Sequence, residues 1–283
     1  YFCGGLPKVR PGPYLALTTA VNSDRGKELL FGQTGSALWS NPAILKNFND
    51  APSLDHIGLR RKALRTSLKM AYTFPELGWE LTSMTGYNEE HLSQVEDNDE
   101  EAPVAMFATS ANNREDFFQE LRLSSAVGQR LTWLVGLSSF KQDHVGAGLV
   151  WLPPSNSFLT NGSVTNNHVR TSAVFGATTY KFTDQIGLSL EGRYQEDESD
   201  QGFTASGQQM KKTFPNFMPR VILQYQPAEE TNLYLTYAKG NLPGGFNAQV
   251  LEMTDDERQQ LKDQVGGSAY VGEEELQNYE LGW

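Results

Sequence analysis

The segment Phe214–Asn247 reads FPNFMPRVILQYQPAEETNLYLTYAKGNLPGGFN. Two of its runs, Phe217–Gln226 and Asn232–Lys239, alternate apolar and polar residues. Between them lies Pro227-Ala228-Glu229-Glu230, and after the second run come Pro243-Gly244-Gly245 and a long polar stretch. Alternation at a period of two predicts strands, and so short a connection predicts an antiparallel hairpin. One end of that hairpin is tight and the other opens into a long loop.

Reading outward, the same unit recurs. His56–Tyr72 places Leu64, Thr66, Leu68, Met70 and Tyr72 on one parity, with Arg61, Ala63, Arg65, Ser67, Lys69 and Ala71 on the other. A short turn at Thr73–Gly78 leads to Trp79–Asn88. Asp116–Ser125 and Arg130–Gln142 flank a tight Val127-Gly128-Gln129, and His168–Phe182 and Gln185–Tyr194 flank Thr183-Asp184. Between these hairpins the stretches Glu89–Arg114, Val145–Asn167 and Glu196–Lys211 read as long polar loops. Short and long connections alternate through eight or nine strands, the pattern of an up-and-down outer-membrane barrel with short turns at one rim and long loops at the other. Tyr72, Phe74, Trp79, Phe182, Tyr225 and Tyr234 sit toward the short-turn ends, where an interfacial girdle is expected.

Composition agrees and excludes other classes. The hydrophobic fraction is 39% and the mean hydropathy −0.47. No apolar run reaches the roughly eighteen residues of a membrane helix, but membrane strands need only alternate apolar residues. A formal charge of −11 argues against a nucleic-acid partner. The acid is gathered in Glu96–Glu101, Glu196–Asp200 and Asp255–Glu257, all placed in loops. In the last long loop, Thr254 and Glu257 form a capping box that predicts a helix of two to three turns.

Residues 1–55 form a separate stretch rich in Gly, Pro, Asn and Ser. Tyr14–Val21 reads as a short strand and Pro42–Phe48 as a helical turn. A loop of that length is usually functional or partly disordered. Cys3 is the sole cysteine and has no internal partner to bridge. The opening residues lack a Met, a basic region and an apolar region, so no signal peptide is visible. With Trp283 ending inside a strand, the chain reads as a piece of a longer polypeptide.

The opening segment resembles the barrel hairpin of TonB-dependent outer-membrane receptors. The resemblance extends to Phe118–Ser125 (FQELRLSS), Leu131–Phe140, Phe175–Asp184, Leu233–Asn247 and Asn278–Gly282 (NYELG), with Glu273-Glu274 where the family has Pro-Glu. It implies an all-β, antiparallel transmembrane barrel. This chain supplies part of a larger barrel of about twenty-two strands, the size associated with a plugged transporter. It also implies residues 1–55 as an extracellular loop, residues 56–283 as barrel, and a plug domain and energy-coupling box outside the chain. The implied function is uptake of a scarce solute, a ferric siderophore or similar iron complex, driven by the TonB-ExbB-ExbD system in the outer membrane of a Gram-negative bacterium. Outer-membrane lipid, lipopolysaccharide and the solute are the other partners.

Charge facing lipid is costly, so Arg61, Arg65, Lys69, Arg122, Glu191, Arg193 and Arg220 are assigned to the lumen, against a plug. Trp151 and Phe158, beside Pro153-Pro154, are candidates for an aromatic solute platform. His144 and Phe246 lie toward extracellular strand ends as further solute contacts. No catalytic residue, cofactor or metal is expected. His56, His91, His144 and His168 are scattered, the acidic clusters lack an ordered ligand spacing, and no nucleophile sits in a hydrolase context. The rival readings are a passive outer-membrane channel, a soluble carbohydrate-binding β protein and an outer-membrane enzyme.

Overall fold

The computed structural model describes residues 58–97, 107–152, 157–158, 164–203, 208–247, 250 and 253–283. The strand Tyr14–Val21, the turn Pro42–Phe48 and Cys3 lie outside the described residues.

Nine long strands form one antiparallel sheet in the order β1 (Gly58–Thr73), β2 (Glu80–Asp97), β3 (Phe107–Ser124), β4 (Leu131–Leu152), β6 (Val164–Lys181), β7 (Ile186–Phe203), β8 (Gln208–Ala228), β9 (Thr231–Leu242) and β12 (Glu274–Gly282). The two-residue β5 (Ser157–Phe158) adds to β4, and β10 (Gly245–Phe246) pairs with β11 (Tyr270–Val271) apart from the sheet. Each long strand lies beside its sequence neighbour, as a meander requires. Among the described residues β1 and β12 are the edges.

Register determines what each face carries, because paired residues share a face and neighbours along a strand do not. One face collects Leu68, Met70 and Tyr72 of β1, Leu121 and Leu123 of β3, and Leu131, Val135 and Leu137 of β4. It continues through Ile186, Leu188, Leu190 and Tyr194 of β7, Phe217, Val221 and Leu223 of β8, and Leu235 of β9. Apart from the half-buried Leu123 and Leu188 these side chains are exposed although they are apolar; Leu137 is 59% exposed and Leu68 55%. An apolar surface this continuous is a contact surface for something other than water. It occupies the short-turn half of every strand. On β7 it runs from Ile186 to Tyr194, about nine residues, the length a tilted strand needs to cross hydrocarbon.

The opposite face is polar and the more sheltered of the two. On β8, Lys212, Phe214, Asn216 and Met218 are buried or half-buried, whereas Lys211, Thr213, Pro215 and Phe217 between them are exposed. Crowding on one side and openness on the other is what curvature toward the polar face produces.

The short turns follow from local chemistry. Gly78 adopts φ +64°, closing the β1–β2 turn through its N–H to Phe74 O at 2.8 Å. Thr183 Oγ1 accepts from the N–H groups of Gln185 and Ile186 in the β6–β7 turn. Aromatic pairs gather nearby. Tyr72 with Phe74, Trp79 with Trp133, and Tyr180 with Phe182 each meet edge to face at 5.0 Å. Tyr234 departs from the expected girdle. Its register with Gly282 and Gln224 places it on the polar face, where it donates to Glu280 at 2.6 Å.

The predicted long loops are corrected most. β2 runs on to Asp97 and β3 begins at Phe107, so most of Glu89–Arg114 is strand. β4 continues to Leu152 and β6 starts at Val164. The acidic Glu196–Asp200 lies wholly within β7, which runs to Phe203, and β8 begins at Gln208. Strands of 18 to 22 residues are about twice what the bilayer needs. Their outer halves are wet on both faces and so lose the alternation that marks a strand in sequence. Pro215 and Pro219 are tolerated in β8 because they lie beyond its last pair with β9, Arg220↔Ala238, where there is no ladder on that side to interrupt.

The helix α1 (Asp255–Val265) is as expected. Thr254 is its N-cap, with the reciprocal Thr254–Glu257 bonds in place, and Gly266 closes it in the left-handed conformation at φ 67°. Glu257 is held below the usual carboxylate range by the Thr254 backbone and hydroxyl bonds.

Two outcomes test this description in the whole protein carrying this region. Leu137→Arg places a guanidinium on the apolar face and is expected to cost about 2–4 kcal/mol of assembly. Gln224→Arg, on the polar face, is expected to leave the yield of heat-modifiable, membrane-inserted barrel unchanged. Thr254→Ala removes a cap worth about 1 kcal/mol. Hydrogen exchange should then quicken across 255–266, with the β7 and β8 amides unaltered.

Candidate functional site

All seven charged residues assigned to the lumen lie on the polar face. Arg61, Arg65 and Lys69 share parity on β1, facing Leu92, Asn88 and Met84 across the β1–β2 ladder. Arg122 faces Gly136, Glu191 faces Arg220, and Arg193 faces Met218. The structure draws six of them into two hollows and leaves Lys69 near the short-turn end.

The outer hollow has a volume of about 440 Å³, and Arg61, Arg65, Glu90, Arg114, Asp116 and Phe118 are among its walls. A continuous chain of side chains crosses it. Arg61 donates through Nε to Glu90 at 2.8 Å, and also through its terminal nitrogen. Arg65 reaches the same carboxylate at 3.6 Å and donates to Asn88 Oδ1 at 3.0 Å. Asn88 and Gln142 each donate to one oxygen of Asp116 at 2.8 Å. Asp116 is thus satisfied by neutral amides while Arg114 on the neighbouring pair has no carboxylate partner among the described residues. These pairs are partly exposed, which limits each to a few tenths to about 1 kcal/mol; their effect is to fix the guanidinium planes.

His144 belongs to this region. It faces Arg114 and Asn167 in register and bonds through Nε2 to Asn112 Oδ1 at 3.1 Å. Burial, and then the Arg114 charge, lower its pKa against a smaller opposing pull from Asp116. It is therefore neutral at pH 7 and presents a ring that both donates and accepts.

The inner hollow, of about 450 Å³, gathers Arg122, Phe175, Glu191, Arg193, Arg220 and Lys239. Arg220 approaches Glu191 at 3.6 Å, and Arg122 donates to Glu120 at 2.7 Å. Phe175, which the sequence reading did not single out, is the centre of this group. Only the register across four strands shows it, and no local motif announces it.

The solute candidates are not brought together. Trp151 and Phe158 are strand residues, not loop residues; they pair in register where β4 meets β5. Ladder pairing continues there because the outer strands extend past the membrane. Phe246 pairs with Tyr270, its ring 5.8 Å away, and packs on Met210, fastening the β9–β12 connection to β8. His144 stands apart on the inner wall. His91 and His168 lie on the opposite face, beside Glu89 and Asp143 respectively. Among the described residues no group of three or more His, Cys, Asp or Glu is placed to hold a metal ion.

An antiparallel meander with an apolar outer band, a polar inner wall and strands rising well past that band is a section of an outer-membrane β-barrel. The sequence model of the TonB dependent receptor-like β-barrel matches residues 12–283, and the chain belongs to this family. Comparison with curated proteins finds no match. The ferric yersiniabactin uptake receptor FyuA from Yersinia pestis superposes with a TM-score of 0.60 at 16% identity, over 79% of this chain and 33% of that one. The ferric citrate transporter FecA in its unliganded form gives 0.56 at 14% identity, over 79% and 32%. BauA, the ferric preacinetobactin receptor from Acinetobacter baumannii, gives 0.54 at 10%, over 79% and 35%. The chain spans about a third of the length of these receptors. At such identities the likeness is one of fold.

The outer hollow makes a direct prediction. His144 should titrate below an ordinary histidine, and Arg114→Gln should raise its pKa only part of the way, because burial is the larger cause. Imidazole NMR of selectively labelled protein measures both. The sign follows: a lowered histidine pKa means that protonation opposes the native arrangement, so order around His144 weakens as pH falls through the ordinary histidine range.

Proposed function

We propose that this chain is the wall section of an outer-membrane receptor that captures a scarce solute and imports it with energy from the TonB-ExbB-ExbD system. The energy acts through a plug that lies outside these residues. The observation that carries the reading is the division of the sheet. One face meets hydrocarbon over the short-turn half of the strands, and the other is a polar wall set with guanidinium groups that a plug can engage. The location that follows is the outer membrane of a Gram-negative bacterium, with lipid against the apolar band and lipopolysaccharide around the outer strands.

The solute class is a ferric siderophore or similar iron complex. Support comes from the three receptors above, each named for a ferric ligand. Support also comes from the outer hollow, where Arg65, Arg114 and neutral His144 offer donors to an anionic chelate. Trp151 and Phe158, which pair in register at the long-loop end of β4, are the proposed first contacts of the solute. Arg61, Arg65, Lys69, Arg122, Glu191, Arg193 and Arg220 form the surface against which the plug packs. The family is one of receptors, and catalysis has no part in this proposal.

The test is uptake of radioiron chelates by cells carrying or lacking the gene, with and without TonB, together with transcription under iron limitation. Gene- and TonB-dependent uptake with iron-repressed transcription is the expected result. Solute flux without TonB would point to a passive channel. Absence of any iron response would remove the iron complex as the solute. A chain that stays in solution without detergent would overturn the membrane reading altogether.

A further inference from the structure

We propose that Arg122, Phe175 and Arg193 form a carboxylate-binding site on the inner wall, occupied by an Asp or Glu side chain of the plug. The assignment rests on the reading that a plug fills the lumen, and it adds which group of the wall the plug engages and with what chemistry.

The site is built by register. Arg122 on β3 faces Gly136 on β4, Gly136 faces Phe175 on β6, and Phe175 faces Arg193 on β7. These residues form one row across four adjacent strands. Gly136 makes the row possible, since a Cβ there would come within 2.3 Å of the Phe175 ring. The ring lies over the glycine, and both guanidinium carbons stand 5.7 Å from its centroid, within the range of cation–π attraction. Phe175 thus holds two like charges on either side of one apolar floor.

The two arginines are not equivalent. Arg122 has the Glu120 carboxylate at 2.7 Å. Arg193 is held by neutral groups only, donating through Nε to Gln195 at 2.7 Å and through a terminal nitrogen to Ser138 at 3.2 Å. Its plane is fixed, its charge is unmatched among the described residues, and further N–H groups remain for a partner. The level matters as much. Along their strands Arg122, Phe175 and Arg193 alternate with Leu121, Leu123, Val174 and Tyr194, which belong to the lipid-facing band. A charge at membrane depth is stable when it faces the interior and is paired. Of the side chains of an unmodified polypeptide, only a carboxylate supplies that charge and accepts bidentately from a guanidinium. The hollow of about 450 Å³ has room for such a side chain beside the ring.

The experiment places a photo-crosslinking amino acid at Met218, which faces Arg193 in register, in the whole receptor in outer membranes. Thr171 on the outer part of the same face is the control position, and heat-modifiable mobility verifies the fold. The expected adduct joins position 218 to a plug segment next to an Asp or Glu. Arg193→Gln should lower its yield about tenfold, the scale of one charge-assisted bond, the amide variant of that acid should do the same, and Arg193→Lys should restore part of it. An adduct on a segment without acid, or a yield indifferent to Arg193→Gln, would overturn the proposal. Adducts to plug from position 171 but none from 218 would overturn it while leaving the plug reading intact. No plug adduct from either position would remove both.

Discussion

In hydrocarbon no backbone N–H or C=O can be left without a partner, and the rest of this structure depends on that constraint. Strand-to-strand pairing satisfies it here through long ladders; β3 and β4, for instance, pair residue for residue from Phe107↔Trp151 to Ser124↔Leu134. Once pairing is continuous, the period of two forces each side chain to one face or the other. A slip of a single residue between β3 and β4 would turn Arg122 toward lipid and Leu123 toward the interior. The charges on the inner wall and the apolar residues on the outer band therefore specify the same register from opposite sides. The two prolines of β8 occur beyond the last β8–β9 pair, Arg220↔Ala238, so their missing N–H groups break no bond of that ladder.

Beyond the band the constraint relaxes, and with it the legibility of the sequence. Strand ends at Asn88 and Tyr194 were read where apolar alternation stops, yet β2 and β7 run nine residues further, to Asp97 and Phe203. The alternation reports contact with lipid and not the strand itself. Where both faces are wet, acidic runs such as Glu196–Asp200 keep their ladder bonds while looking like coil. The helix after Thr254 was legible for the opposite reason. Its capping box and terminal glycine are local chemistry, satisfied within a dozen residues and indifferent to the membrane.

The site divides in the same way. That Arg61, Arg65, Arg122, Arg193 and Arg220 share a face was readable from parity within each strand and the cost of charge in lipid. Which of them meet was not, because that depends on the offset between strands. Glu90 serves both Arg61 and Arg65 only because β1 and β2 pair as they do, and Phe175 lies between two arginines only because Gly136 leaves the space. Tyr234 shows the converse error: assigning aromatics to the girdle by residue type overlooks parity, which turns this ring inward onto Gly282.

The bulk charge of the chain does not describe its inner surface. The sequence carries −11 overall, yet at the level of the apolar band the polar face sets Lys69, Arg122, Arg193 and Arg220 against an equal number of carboxylates, Glu80, Glu120, Glu191 and Glu280. Much of the acid resides on the outer strand extensions and the loop helix, where water solvates it at little cost. Separation of charge along the strands has a physical consequence. An anionic group entering from the outside passes acidic outer strands before it reaches guanidinium groups fixed in place on the wall, in a lumen where the low dielectric of the surrounding lipid strengthens each pair. The guanidinium planes that such a group meets are already oriented by Asn88, Gln195 and Ser138, so little ordering remains to oppose binding. Selectivity among anions must then come from shape and from residues that close the lumen above and below this wall, because the wall itself supplies the charge and its placement but not an enclosure.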